Sequence, residues 1–213
     1  MNTIEPSNAT ACKVGMWAAL ALVVETFAFG LALLFPTAND AAYLSSVFIA
    51  PSFVALMVAL HYTAPANKRV WSHLGLSFAI IYAVLCMLNY YVQLTVVRVN
   101  SLGASEDLLK MFTFTPGSVM FAQDMLGYTF LSLATLVAAP MFTGGDRLAT
   151  WLKWLFIVHG MVFIVPLIFP AISFPTATGG DEIGVIANLG WCVLFDPIAV
   201  LLAVHFKRLP RAV

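Results

Sequence analysis

Six apolar runs, near residues 13–35, 41–62, 71–97, 117–140, 149–170 and 183–206, divide the chain almost end to end. Each is long enough to cross a hydrocarbon core of about 30 Å at about 1.5 Å of rise per helical residue. In lipid every backbone N–H and C=O must be satisfied within the protein, and long runs without alternating polarity achieve this as helices rather than as barrel strands. The sequence therefore predicts an all-α, polytopic membrane protein: a single domain over 1–213, built as a bundle of six transmembrane helices.

Composition leaves little else. Only 9% of residues are charged, against about 25% in soluble domains. The longest stretch between runs, about Arg98 to Gly117, is too short to fold alone. A net charge of zero gives no reason to expect nucleic acid as a ligand. The lipid bilayer is the expected partner, with a small molecule as candidate ligand, and nothing in the sequence fixes an oligomeric state. No basic segment precedes the first run and Glu25 interrupts it, which argues against a cleaved signal peptide.

Prolines mark the boundaries. Pro36, Pro65, Pro116, Pro140 and Pro175 fall at or beyond run ends, where a missing N–H does no harm. Pro51, Pro166 and Pro197 lie inside runs and predict kinks.

Orientation follows from the basic residues. Lys13, Lys68, Arg69, Arg147, Lys153, Lys207, Arg208 and Arg211 fall on one side of the spans, whereas Arg98 and Lys110 fall on the other beside Asp40, Asp181 and Glu182. The positive-inside rule then puts both termini in the cytoplasm, with the cytoplasmic membrane as the expected location. Trp17, Trp71, Trp151 and Trp154 share the cytoplasmic level, as an aromatic belt would. In the outer loop between runs three and four, Ser105-Glu106-Asp107 starts a short segment with Leu108, Leu109, Met111 and Phe112. It reads as an interfacial helix, either floating at the headgroups or lying as a lid over an outward opening.

Ionisable groups inside the runs carry the functional signal. Glu25, Asp124 and Asp196 interrupt runs one, four and six, and an acid at mid-membrane costs about 2.5 to 3.5 kcal/mol on insertion scales. Such groups face cavities or partners and mark sites or pathways. In run three Tyr82, Cys86, Asn89, Gln93 and Asn100 recur at helical spacing on one face. Run six repeats the pattern with Asn188, Cys192 and Asp196, and run five contributes His159. Glu25, His159 and Asp196 fall near the midplane, and Asn89, Gln93, Asp124 and Asn188 in the outer half. These seven are the candidate ligand- or proton-binding residues, able to line one cavity. The plainer reading is that each amide simply bonds to a neighbouring helix. Arg98, at the outer boundary, either snorkels to the headgroups or turns inward to pair with Asp124.

His61, His73 and His205 share a depth at the inner end, where headgroup contact explains them as well as a haem or metal site would. Cys12, Cys86 and Cys192 show no metal-binding spacing, so neither metal nor cofactor is expected. Three functional classes stay open. The first is binding or transport of a small molecule or proton through a polar cavity opening outward. The second is an intramembrane enzyme acting on a lipid or isoprenoid with His159 and a carboxyl as acid and base. The third is an accessory subunit whose polar groups fix helix registry.

Overall fold

The computed structural model describes residues 6–35, 37–100, 103–142, 145–171 and 180–209, the side chains of 6–8 and 180–183 aside. No strand occurs among the described residues. Among the described residues eight α-helices follow one another: α1 (Pro6–Leu33), α2 (Asn39–Thr63), α3 (Arg69–Val92), α4 (Glu106–Phe112), α5 (Val119–Ala138), α6 (Arg147–Met161), α7 (Ile164–Ile168) and α8 (Gly180–Arg208). Six segments are long and apolar enough to cross a membrane: α1, α2, α3 with its extension, α5, the α6–α7 pair, and α8. The chain is a multi-pass integral membrane protein. Pro36, Pro175 and Arg211 lie outside the described residues.

Local chemistry sets the ends. Ser118 opens α5 by accepting from the Phe121 N–H at 3.0 Å, and Asp146 opens α6 by accepting from Ala149 N–H at 2.9 Å. Pro51 and Pro197 remain inside α2 and α8. Pro166 does more than kink its helix. Lacking an N–H, it cannot bond back one turn to Val162, and there α6 gives way to the short α7. α3 continues beyond Val92 as a π turn over Gln93–Val97, closed by Arg98 N–H bonding to Gln93 C=O. Asp181 and Glu182, expected in a loop, belong to the first turn of α8.

The spans form a ring in which α1 packs on α2 and α8, α3 on α2 and α5, and α6 on α5 and α8. Neighbours run antiparallel. On α1 and α8, Gly15 meets Phe206, Thr26 meets Asp196 and Gly30 meets Cys192, so one number rises as the other falls. Tyr90 with Asp124 and Gly75 with Ala134 give the same opposition between α3 and α5. An even ring permits this at every contact.

α5 is the most enclosed span, with 61% of its apolar window buried. Two glycine contacts allow it. A Cβ on Gly127 would stand 2.5 Å from Cys86 Sγ on α3, and one on Gly160 of α6 would stand 2.6 Å from Leu136 Cα on α5. Only bare backbone fits at such separations.

A candidate polar site within the membrane

At the middle of the ring the side chains are aromatic. Phe53 packs on Tyr82 (centroids 5.8 Å apart), Tyr82 on Tyr128 (6.1 Å), Tyr128 on Trp191 (5.7 Å), Trp191 on Phe195 (5.1 Å) and Phe195 back on Phe53 (6.0 Å). Rings from α2, α3, α5 and α8 thus form a closed circuit across the bundle. Edge and offset contacts of this kind add about 0.5 to 1.5 kcal/mol per pair beyond burial. The layer divides the interior in two.

On the side of the π turn lies Asp124. The residue is 0% exposed, and its Oδ2 accepts from the Tyr90 hydroxyl at 3.0 Å. Tyr90 and Tyr128 hydroxyls lie 3.2 Å apart, which connects the carboxyl to the aromatic layer. Asn89, also 0% exposed, stands beside Asp124 on the polar face of α3. Asp124 Oδ1 and Asn89 Nδ2 are both buried without a hydrogen-bond partner. The donor and the acceptor belong to neighbouring residues, and the nearest pairing open to each is the other, looser than a well-formed hydrogen bond.

Gln93, expected among the ligand-binding residues, bonds to Asn89 Oδ1 at 3.5 Å and more closely to the backbone. Its Nε2 donates to Phe112 C=O at 2.7 Å and its Oε1 accepts from Phe114 N–H at 2.9 Å. This clamp holds the segment after α4 against the end of the bundle. Phe114 then packs on Tyr43, Tyr90 and Phe121, at 6.3, 6.2 and 5.5 Å, and roofs the Asp124 compartment.

On the other side of the layer, His159 is 0% exposed and both ring nitrogens are bonded. Nδ1 meets Thr135 Oγ1 at 2.8 Å and Nε2 accepts from Trp191 Nε1–H at 3.1 Å. The remaining acids sit at helix seams. Glu25 Oε1 accepts from the Ser52 hydroxyl of α2 at 2.9 Å, while its buried Oε2 has no partner. Asp196 meets the Thr26 hydroxyl of α1. Asn188 donates to Gly184 C=O of its own helix at 2.9 Å.

The candidate residues are therefore distributed over several separate pairings, and only Asp124, Asn89 and Gln93 stand together, with Gln93 Nε2 3.5 Å from Asn89 Oδ1. Arg98 does not reach Asp124. Its Nε pairs with Asp40 Oδ2 of α2 at 3.2 Å, with both side chains more than half exposed. Of the two readings of Arg98 the π turn favours the outer one: it holds about one extra residue per turn, so Arg98 comes round to α2 instead of continuing the inward stripe. His61 and His73 pack edge to face at 5.4 Å, whereas His205 lies against Phe142 and Phe206. Among the described residues no three His, Cys, Asp or Glu side chains converge as a metal site.

Sequence reasoning missed Tyr90, Phe53 and Trp191. Tyr90 and Trp191 lie next to residues of the polar faces, Asn89 and Cys192, but an aromatic residue in an apolar run carries no signal of its own. Comparison of the chain with protein-family models, with curated proteins and with solved structures finds no match.

Proposed function

We propose that the chain binds or passes a small polar species, a proton in the simplest case, at a carboxyl-centred site made by Asp124 with Asn89, Tyr90 and Tyr128. The observation that carries this reading is the fully buried Asp124 carboxyl, which faces Asn89 and the Tyr90 hydroxyl and forms no ion pair among the described residues. Stability alone gives no reason to keep such a group in an apolar interior. A proton needs no cavity, and the compartment is closed by Phe114 at one end and by the aromatic layer at the other. A π turn beside the site fits as well, since these turns recur at functional positions. A larger ligand would enter only if the Gln93 clamp opened and Phe114 swung away. The positive-inside distribution makes this compartment the outer one, with both termini cytoplasmic.

The enzyme reading loses support because His159, its acid–base residue, has both nitrogens occupied by structural partners. The accessory reading draws support from Glu25 with Ser52 and Asp196 with Thr26. These pairs join α1 to α2 and to α8 and suit the fixing of helix registry.

The test is proton flux in liposomes loaded with a pH-sensitive dye under an imposed potassium diffusion potential. Wild type should acidify the lumen faster than empty liposomes, and Asp124→Asn, which keeps the shape but cannot ionise, should remove the difference. Equal rates for wild type and Asp124→Asn would overturn the proton reading.

A further inference from the structure

At the end of the bundle opposite Asp124, the α2–α3 hairpin carries a groove of about 450 Å³ lined by His61, Arg69, Val70, His73, Leu74 and Ser77. Its charge is of one sign. Arg69 is a fixed cation beside His61, His73 and Ser77, and no carboxylate lines it. Lys68 precedes Arg69 in the same turn. The apolar wall descends along α3 from Val70, 77% exposed, to Leu74, 38% exposed, in the direction of the membrane interior. A cationic rim above an apolar wall at the end of a span matches the interfacial region of a lipid leaflet.

Hydrogen-bond directions narrow the ligand. Ser72 has one hydroxyl hydrogen, which goes to Arg69 C=O at 2.9 Å. The His61 Nδ1 that meets Ser72 Oγ at 2.9 Å must therefore be the donor. In the neutral ring Nε2 is then an acceptor. Ser77 likewise spends its hydrogen on His73 C=O, at 3.0 Å, and keeps only lone pairs. The groove thus offers one guanidinium for a phosphate and, beside it, acceptors for a hydrogen-bond donor on the same molecule. A headgroup ammonium would supply a donor but would stand against Arg69. A hydroxyl would not.

From this we infer that the α2–α3 groove binds a phosphodiester lipid with a hydroxylated, uncharged headgroup substituent, of the phosphatidylglycerol type. The phosphate pairs with Arg69, a headgroup hydroxyl donates to His61 Nε2, and the acyl chains run down past Val70 and Leu74. This site lies apart from the Asp124 compartment and does not depend on it.

The experiment uses the full chain in detergent, delipidated and then titrated with phosphatidylglycerol, phosphatidylethanolamine or phosphatidylcholine, with bound lipid counted by native mass spectrometry. Phosphatidylglycerol should be retained about tenfold better than either of the others. Arg69→Gln should lower its retention about tenfold. His61→Phe, which keeps a ring but loses the acceptor, should abolish the preference over phosphatidylethanolamine. Lys153→Gln, a cation at the same end but outside the groove, should change nothing. Equal retention of the three lipids, or an equal loss in Lys153→Gln and Arg69→Gln, would overturn the site. Displacement of the lipid by glycerol phosphate at equal concentration would overturn the lipid as its ligand and leave a site for soluble phosphate.

Discussion

Trp191 donates its indole N–H to His159 Nε2 at 3.1 Å, across the contact between α8 and α6. Indole is a donor only, so Nε2 is the acceptor and the proton of the neutral ring sits on Nδ1. From there it points to Thr135 Oγ1 at 2.8 Å, and the threonine hydrogen goes on to Ser132 C=O at 2.8 Å. Every donor in this chain has one acceptor. It ties α8, α6 and α5 together where the ring of spans closes.

Trp191→Phe would strand Nε2, and His159→Leu would strand both the indole N–H and the threonine oxygen. Each variant should lose about 1 to 3 kcal/mol, the cost of an unpaired buried group. The two losses should not add, because both remove the same bond. Thermal unfolding of the two single variants and the double variant in one detergent measures this. A double variant whose loss equals the sum of the two would mean that the bond contributes nothing.

Gly160 allows α6 to lie on α5, and alanine there would place its Cβ 2.6 Å from Leu136 Cα and 2.8 Å from Leu136 N. Backbone cannot step aside as a flexible side chain can. Gly160→Ala should therefore cost about 1 to 3 kcal/mol by overpacking. At Gly145 an added Cβ meets nothing within 4 Å, and Gly145→Ala should stay within about 0.5 kcal/mol of wild type. Equal melting temperatures for the two variants would show that α5 and α6 can separate freely.

How much of this was open to the sequence depends on the kind of information each feature needs. Tyr82, Cys86, Asn89 and Gln93 share a face because helical periodicity is local, and the structure buries all four. The break before Pro166 is local in the same way. What periodicity cannot give is the partner. Ser52 opposite Glu25, Tyr90 on Asp124 and Thr135 on His159 depend on the register between helices. That register is set by close contacts such as Gly127 on Cys86, which no single run displays. The two readings of Arg98 stayed open for a related reason, since a π turn arises from packing and leaves no composition signal.

Gln93 holds the segment after α4 by two hydrogen bonds to its backbone. Gln93→Met keeps the length and removes both. Net contributions of about 0.5 to 1.5 kcal/mol per bond, hence about 1 to 3 kcal/mol for the two, correspond to roughly 5- to 150-fold faster local opening. The Phe114 amide should exchange with deuterium faster by about that factor, while the core of α5 near Ala134 is unchanged. Unaltered exchange at Phe114 would remove the clamp, and with it the gate proposed for larger ligands.

The orientation can be read from single cysteines in a background lacking the three native ones. Positions 40 and 106 should react with an impermeant maleimide added outside intact cells, and positions 67 and 145 only after lysis. The reverse pattern would invert the bundle. The Asp124 compartment would then open to the cytoplasm and the α2–α3 groove to the outer leaflet.

Arg98 and Asp40 form an exposed pair, 61% and 54% accessible, that joins the end of α3 to the start of α2. Exposure limits its value: double-mutant cycles on such pairs give about 0.2 to 1 kcal/mol. Asp124 has another partner, the Tyr90 hydroxyl at 3.0 Å, and lies out of reach of the guanidinium. Two cycles separate the pairings, Arg98→Gln with Asp40→Asn and Arg98→Gln with Asp124→Asn, each read by thermal stability. The first should show a coupling of a few tenths of a kcal/mol, reduced by salt as expected for a pair at the wet rim. The second should be close to zero, because the two residues share no contact. A coupling of about 1 kcal/mol or more between Arg98 and Asp124 would mean that the arginine turns inward after all. Asp124 would then have a permanent counter-ion, and the proposal of a proton-binding carboxyl would fail with it.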